Sequence, residues 1–192
     1  DINARLHNPR PEETQREYLT LEEVNKLAQT DCDMPLLKEA ALFSALTGLR
    51  FSDIEKLLWC EVHHSKETGY FIQFRQQKTK GVETLPIPEQ AYRLLGERKE
   101  RDKKVFDGLK YSAHTNSHIV RWTAKAGITK HITFHSIRHT YATLQITLGT
   151  DVFTVQKMLG HKNLKTTQVY AKIIDQKKQE AANRIIIDMG KQ

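Results

Sequence analysis

The sequence has few of the residues that build disulfide-fastened or membrane-embedded proteins. Its 192 residues include two cysteines, Cys32 and Cys60, and no CxxC pair. We therefore expect neither a disulfide framework nor a zinc cluster, and both cysteines are interpreted as packing residues. The longest apolar stretches, such as residues 40–46, are far shorter than the ~20 residues of a membrane span, and no signal-peptide pattern opens the chain. These absences predict a soluble cytoplasmic protein.

Glycine and proline are also scarce, with nine and five residues, and there is no internal repeat or low-complexity tract. With 39% hydrophobic and 28% charged residues, the composition is typical of a helix-rich globular domain and not of a disordered chain. Lys and Arg number 30 against 23 Asp and Glu, which gives a net charge of +7. That charge favours a polyanionic partner, although charge alone does not identify one.

Local signals predict the first elements. Thr20 to Glu23 form a capping-box pattern that opens one helix, and a second helix is expected over residues 34–46, ended by Gly48. Ser52 to Glu55 are interpreted as another capping box, which places Arg50 in a tight junction between two helices. A long side chain fixed at such a junction suits anion binding.

Alternating segments at residues 70–75 and 82–87 predict a β-hairpin, with Lys78 near the tip of its turn. Helices are expected after Pro88, over residues 112–126 and 135–148, and after Asp151. Residues 161–172 are predicted as a loop leading into another helix, and an amphipathic stretch over residues 177–189 finishes the chain. The predicted fold is α+β, mainly α-helical with a small antiparallel hairpin.

The most informative segment surrounds His135 and Arg138, which lie three residues apart and share one face of the predicted helix. Alone, this HxxR pattern is more often a solvated helix surface. Other motifs change that interpretation. Thr47 to Arg50 read TGLR, Lys78 follows in the hairpin, residues 159–161 read LGH, and Tyr170 comes nine residues after His161.

In this order and spacing, these motifs resemble the catalytic domain of the tyrosine recombinases, the phage-type integrases, over roughly residues 18–175. Ile137 replaces a common Leu of the family, and Asp53 stands where Glu is common. The resemblance implies two arginines that grip the scissile phosphate, a lysine that donates a proton, two assisting histidines and a tyrosine nucleophile. In that order, the implied residues are Arg50 and Arg138, Lys78, His135 and His161, and Tyr170.

The chemistry of these side chains fits the implied roles. Two guanidiniums can each make paired hydrogen bonds to phosphate oxygens and offset the charge of the transition state, so no metal or other cofactor is needed. A tyrosine hydroxyl, with a pKa near ~10, needs a base or nearby cations, and His135 is the preferred base. Lys78 is the preferred acid for the leaving 5′-hydroxyl and Lys80 the alternative.

Several residues have weaker interpretations. Asp53 either orients Arg50 or only caps a helix, and His139 either assists at the phosphate or supports its own helix. Other lysines near the site are candidate DNA contacts: Lys80, Lys162, Lys165 and Lys172. His114 and His118 are interpreted as part of a solvated helix face and not as a metal site. Trp59 and Trp122 are expected in the core.

The resemblance implies a partner of double-stranded DNA, on which a homotetramer assembles, with a monomer expected in the absence of DNA. Residues 1–17 are predicted as a linker from a missing N-terminal DNA-binding domain, residues 18–175 as the catalytic domain, and residues 176–192 as a tail that contacts a neighbouring subunit or its own domain.

An integrase of a mobile bacterial element is preferred over a phage, transposon or resolvase enzyme. The alternatives are an inactive DNA-binding relative and a metal-dependent nuclease, which chelators would inhibit.

Overall fold

The structure is a computed structural model that describes residues 17–75, 82–160 and 168–189. These residues form eight α-helices and three β-strands, and a single 3₁₀ turn at Trp59–Glu61 precedes the first strand. In chain order, the elements are α1 (Leu21–Gln29), α2 (Pro35–Thr47), α3 (Phe51–Lys56), β1 (Val62–Ser65), β2 (Gly69–Arg75), β3 (Val82–Pro86), α4 (Glu89–Arg93), α5 (Ala113–Lys125), α6 (Phe134–Thr147), α7 (Val152–Met158) and α8 (Gln168–Ala182).

Side-chain capping marks the N-termini of four of the described helices. Thr20 and Glu23 form the predicted capping box of α1, and Ser112, Thr133 and Asp151 cap α5, α6 and α7 through side-chain oxygens. Within the described ranges, no helix is both long and apolar enough to cross a membrane. The predicted mainly helical α+β fold is confirmed.

The sheet has the antiparallel order β1-β2-β3, in which β2 is the central strand. The predicted hairpin is β2 and β3, with Phe71 opposite Pro86 and Arg75 opposite Val82. Its turn, with Lys78 and Lys80, lies outside the described residues. The sequence interpretation missed β1, which pairs Val62 with Ile72 on the other edge of β2.

Two boundary predictions were wrong. The capping box at Ser52 to Glu55 does not start α3, because the helix begins two residues earlier, with Arg50 as a cap residue that makes no side-chain capping bond. Phe51 packs its ring edge-on against Phe134 and Tyr111 at centroid distances of 4.9 and 5.3 Å. We attribute the earlier start to this packing, which outweighs the local capping signal.

The C-terminal helix also differs from its prediction. Residues 168–172 were expected in a loop, but α8 begins at Gln168 and continues to Ala182, through the proposed domain boundary at residue 175. Residues 185–189, predicted as part of an amphipathic stretch, have no helical structure. Tyr170, Ile173 and Ile174 have the spacing of one helix face and pack on the body of the protein, which explains the earlier start.

Most buried side chains belong to one hydrophobic cluster, which we call the main cluster. It contains Trp59 and Trp122, as predicted, and extends through α1 to α5 into the first turns of α6, where Phe134 and Ile137 lie. A second group, here called the satellite cluster, consists of Ala142, Ile146, Val155 and Tyr170 among the described buried residues. Helix α6 therefore joins both clusters.

Candidate active site

A glycine at the end of α2 sets the position of Arg50. Gly48 has a φ of 73°, and a Cβ atom there would lie 2.5 Å from Cδ1 of Tyr141 and 2.8 Å from Cδ2 of Leu159. Only glycine fits both the left-handed backbone and the close approach of these side chains. Ser44 then donates a hydrogen bond from Oγ to the carbonyl oxygen of Leu49 at 2.8 Å, which fixes the backbone next to Arg50.

Arg138 and His135 come from the first turns of α6. Thr133 caps this helix by accepting a hydrogen bond from the Ser136 backbone N–H. Arg138 is only 6% exposed and donates from Nη2 to the carbonyl oxygen of Leu159, at the end of α7, at 2.8 Å. His135, one turn earlier on the helix, is exposed. The C-terminal end of α7 is thus tied to the guanidinium that the sequence assigns to phosphate binding.

Arg50, His135 and Arg138 line one open pocket. Three predicted site residues, 88 positions apart at the extremes, are therefore brought together by the junction between α2 and α3 and by the first turns of α6. The rest of the lining is mostly aromatic or polar: Phe51, Ser52, Glu55, Tyr111, Thr133 and Phe134. A concave surface with two guanidiniums and an imidazole has the donors that a phosphate group requires.

The two arginines influence each other electrostatically. Burial, and then the like charge of Arg50, lower the pKa of the Arg138 guanidinium to about 10, while Asp53 and Tyr170 act in the opposite direction. Arg138 therefore stays protonated at neutral pH, but its charge is costly to hold. Because a phosphate carries the compensating negative charge, its binding would relieve the repulsion between the arginines. Asp53, exposed on α3, favours the charged form of Arg138.

Tyr170 lies on α8, and its side chain is 4% exposed within the satellite cluster. Its hydroxyl forms a hydrogen bond with Nδ1 of His139 at 3.0 Å. The Tyr170 side chain is also close enough to Arg138 to affect that group's pKa. The predicted nucleophile is thus held beside the arginine that lines the pocket, by a histidine that the sequence interpretation ranked below His135.

Several sequence candidates cannot be placed. Lys78, Lys80, His161, Lys162 and Lys165 lie outside the described residues. Lys172 lies on α8, two residues after the candidate nucleophile, and is exposed. Its proposed contact with DNA stays a prediction.

Tyr111 is a pocket residue that sequence reasoning missed. It is 62% exposed, yet Asn116 donates a hydrogen bond from Nδ2 to its hydroxyl at 3.2 Å, and the Phe51 ring packs against it. The side chain is therefore held at the edge of the pocket with one face open. No local pattern marks it, since it lies in an irregular segment before α5 and reaches the pocket only through the fold.

The histidine pair on α5 forms its own exposed arrangement. Nε2 of His114 and Nε2 of His118 are 3.0 Å apart, and Nη2 of Arg121 lies 3.1 Å from Nδ1 of His118. Burial, Arg121 and His114 lower the pKa of His118, while Asp33 acts in the opposite direction. Across the described ranges, no group of three or more His, Cys, Asp or Glu side chains is arranged to hold a metal ion.

Comparison with known proteins gives matches over most of the chain. The phage integrase family matches residues 17–177. The tyrosine recombinase XerA of Pyrococcus furiosus is 31% identical over 196 residues, which cover 94% of this chain and 65% of that protein. A tyrosine recombinase of Thermosipho africanus is 27% identical over 190 residues, covering 94% of this chain and 66% of that protein. The chain thus spans slightly less than two thirds of the length of these relatives.

Solved structures have the same fold. The crystal structure of XerA recombinase matches with a TM-score of 0.67 at 23% identity, over 93% of this chain and 67% of that one. The catalytic domain of bacteriophage HP1 integrase matches with a TM-score of 0.62 at 22% identity, over 91% of this chain and 98% of that one. The tyrosine recombinase catalytic-domain fold is therefore confirmed. The family match over residues 17–177 establishes that the chain belongs to the phage integrase family.

Proposed function

We propose that this protein is a site-specific DNA recombinase that cleaves and rejoins strands through a covalent 3′-phosphotyrosine intermediate at Tyr170. The observation that carries the proposal is the convergence of Arg50, His135 and Arg138 in one pocket, with Tyr170 held beside Arg138. Residues 18–175 supply this site and are proposed as the catalytic unit.

In the proposed reaction, Arg50 and Arg138 bind the non-bridging oxygens of the scissile phosphate, and His135 assists from the same pocket. The Tyr170 oxygen attacks phosphorus while the bond to the 5′-oxygen of the next nucleotide breaks. The leaving oxygen takes a proton from an acid, for which Lys78 is proposed ahead of Lys80, and His161 is assigned an assisting role. Because the phosphotyrosine conserves the energy of the broken bond, a 5′-hydroxyl can reverse the reaction without ATP.

The proposed substrate is double-stranded DNA at a recombination site. The net charge of +7 favours a polyanion, and a structural neighbour, XerH, was solved in a post-cleavage complex with its difH substrate, at a TM-score of 0.66 and 20% identity. Similarity of the hairpin sequence QQKTKGVETLPIP and of LGHKNLKTTQVYAK to enzymes of mobile bacterial elements favours an integrase role. Such a role also implies a cytoplasmic location.

A tetramer on DNA is the proposed assembly. The segment that follows α8 exposes Ile185, Ile186, Ile187 and Met189, which are 74–89% exposed. Side chains of this kind are rarely left in water as a contiguous group, and a neighbouring copy of the chain is their proposed partner. Light scattering of the protein with and without its selected DNA is expected to show a larger assembly only with DNA, and a smaller one after Ile186→Asp.

Covalent trapping tests the proposed function. Because the target sequence is unknown, the probe is a pool of nicked duplexes with a randomised core, from which complexes that resist denaturant are recovered in the presence of EDTA. Wild-type protein is expected to form a DNA-linked band that Tyr170→Phe abolishes, whereas the matched control Tyr92→Phe retains it. DNA binding by the wild type without any covalent band would instead support the alternative of a binding-only relative.

A further inference from the structure

We propose that His139 holds the Tyr170 hydroxyl and accepts its proton during strand cleavage, and that Tyr18 fixes the His139 ring from a second side. This inference rests on the proposed function and deepens it. Nδ1 of His139 lies 3.0 Å from the Tyr170 hydroxyl, and the two rings are 5.3 Å apart between centroids. The distance is that of a hydrogen bond between the proposed nucleophile and a group that can act as a base.

Burial holds the Tyr170 and His139 side chains in a defined arrangement. Tyr170 is 4% and His139 8% exposed, so water has little access to either ring, and both side chains are restricted by packing. His139 belongs to α6, which joins the main and satellite clusters, and it directly follows Arg138. The same helix therefore presents the phosphate-binding guanidinium and the imidazole that holds the nucleophile, and it fixes their relative positions.

Tyr18 restricts the imidazole from another side. Its ring meets the His139 ring edge-on, with centroids 6.0 Å apart and planes at 74°. The backbone around Tyr18 is fixed in turn, since Nζ of Lys130 donates to the Tyr18 carbonyl oxygen at 3.0 Å and the Leu19 N–H donates to Oγ1 of Thr140 at 2.9 Å. The segment that leads into α1 is thus fastened to α6 one residue from His139.

The proton balance of the step is complete. As the bond between the Tyr170 oxygen and phosphorus forms, the phenolic proton moves to Nδ1 of His139. The bond from phosphorus to the 5′-oxygen breaks, and that oxygen takes a proton from the proposed acid, Lys78. Religation runs the same transfers in reverse. In this scheme His139 has the role toward Tyr170 that the sequence interpretation gave to His135, which contributes to the phosphate pocket.

The first experiment tests the pair in the DNA-free protein. Long-range ¹H–¹⁵N NMR at one pH reports the state of each imidazole nitrogen, and His139→Gln identifies the His139 resonances. We expect Tyr170→Phe to shift the Nδ1 resonance of His139 and the control Tyr92→Phe to leave it in place. An unchanged Nδ1 resonance in Tyr170→Phe would contradict the arrangement without any reference to activity.

The second experiment tests the proton transfer with the DNA recovered by covalent trapping. His139→Ala is expected to slow formation of the covalent complex by a factor on the order of 10², and added imidazole to restore part of the rate. His64→Ala, an exposed histidine on β1, serves as the control. Tyr18→Leu should lose about tenfold because the imidazole is less well positioned, and Tyr18→Phe, which keeps the aromatic ring, should recover most of that loss.

Each outcome separates the two proposals. A wild-type rate in His139→Ala, or a folded His139→Ala that imidazole does not rescue, would contradict the proton transfer while leaving the proposed function intact. If His139→Ala does not fold, His139→Gln provides the same comparison, with a slowed rate expected. If the wild type forms no covalent complex, the proposed function fails and the proton transfer with it, whereas the NMR result still decides whether the pair exists.

Discussion

The main cluster and the satellite cluster hold different halves of the candidate site. The main cluster packs α1 to α5 and the sheet around the first turns of α6, and it supports the pocket that contains Arg50, His135 and Arg138. The satellite cluster buries Ala142, Ile146, Val155 and Tyr170 and attaches α8 to the rest of the chain. The phosphate-binding groups thus have a much larger support than the proposed nucleophile.

This difference suggests how the site is organised energetically. Because burial of apolar area is the main source of stability, the arginine pocket should open only when the domain unfolds, whereas α8 should detach locally at a lower free energy. Arg138 and His139 lie where α6 passes from one cluster to the other. They are therefore the residues through which the nucleophile and the phosphate pocket are aligned.

The largest effects are expected from the arginines, and they separate activity from stability. Arg50→Met and Arg138→Met should each slow covalent-complex formation by about 10³-fold, since each removes a donor to the developing charge. Only Arg138→Met should lower the free energy of unfolding, by about 1–3 kcal/mol, because it removes the donor to the Leu159 carbonyl. Arg50→Met should not destabilise the fold in this way, because it removes a like charge whose repulsion lowers the pKa of Arg138. If urea unfolding gave the same loss of unfolding free energy for both variants, this difference would be contradicted.

Alanine substitutions at two glycines test how tightly the junction before Arg50 is packed. Gly48→Ala should destabilise the fold by about 3–5 kcal/mol, since it combines a strained backbone with the clash against Tyr141 and Leu159. Gly127→Ala, at a φ of 76° in open space, should cost only about 1–2 kcal/mol from the backbone. Thermal or urea unfolding measures both. Similar costs at the two positions would mean that the junction before Arg50 tolerates a side chain.

Two valines compare the clusters directly. Val155 in the satellite cluster and Val62 in the main cluster are 0% and 1% exposed, so alanine at either position removes the same buried groups, at about 1–2 kcal/mol. Hydrogen exchange should show faster exchange mainly in α8 for Val155→Ala, and throughout α2 and α6 for Val62→Ala. Equal acceleration of α2 by both variants would argue against separate support for α8.

The smallest effect concerns the attachment of α1. Burial alone would raise the pKa of Glu23, but hydrogen bonds from Lys130 and Thr20 outweigh it, and the pKa is lowered on balance. A carboxyl with a lowered pKa stabilises the fold above its unfolded-state pKa, and this contribution is lost as the pH falls through the folded-state pKa. Glu23→Gln should therefore cost up to about 1 kcal/mol at pH 7 and progressively less as the pH falls through the folded-state pKa of Glu23. A loss that does not change with pH in acid would contradict the role of the charge.

Local signals made part of the molecule predictable from its sequence. The capping box at Thr20 and the glycine at position 48 mark helix ends through chemistry within a few residues, and both were confirmed. His135 and Arg138 lie close together in the sequence, and their helical spacing placed them on one face. Arg50 was predicted from its motif, but its distance from Arg138 in the chain meant that only the fold could bring the two into one pocket.

Features that depend on distant packing were not predictable in the same way. Strand β1 has the sequence VHHS, which lacks an alternating apolar pattern, and it forms because β2 offers an edge. Tyr170 and His139 are 31 positions apart and meet only when α8 packs on α6. The early start of α8 had a signal in the spacing of Tyr170, Ile173 and Ile174, but the polar residues before them favoured a loop.

The most direct test of the account is to locate the covalent bond to DNA. After trapping, nuclease and trypsin digestion should leave a nucleotide on one peptide, which mass spectrometry identifies. We expect the adduct on residues 166–172, TTQVYAK, whose single tyrosine is Tyr170. An adduct on the peptide of Tyr111 or of Tyr141, with residues 166–172 unmodified, would contradict the assignment of α8 as the helix that carries the nucleophile.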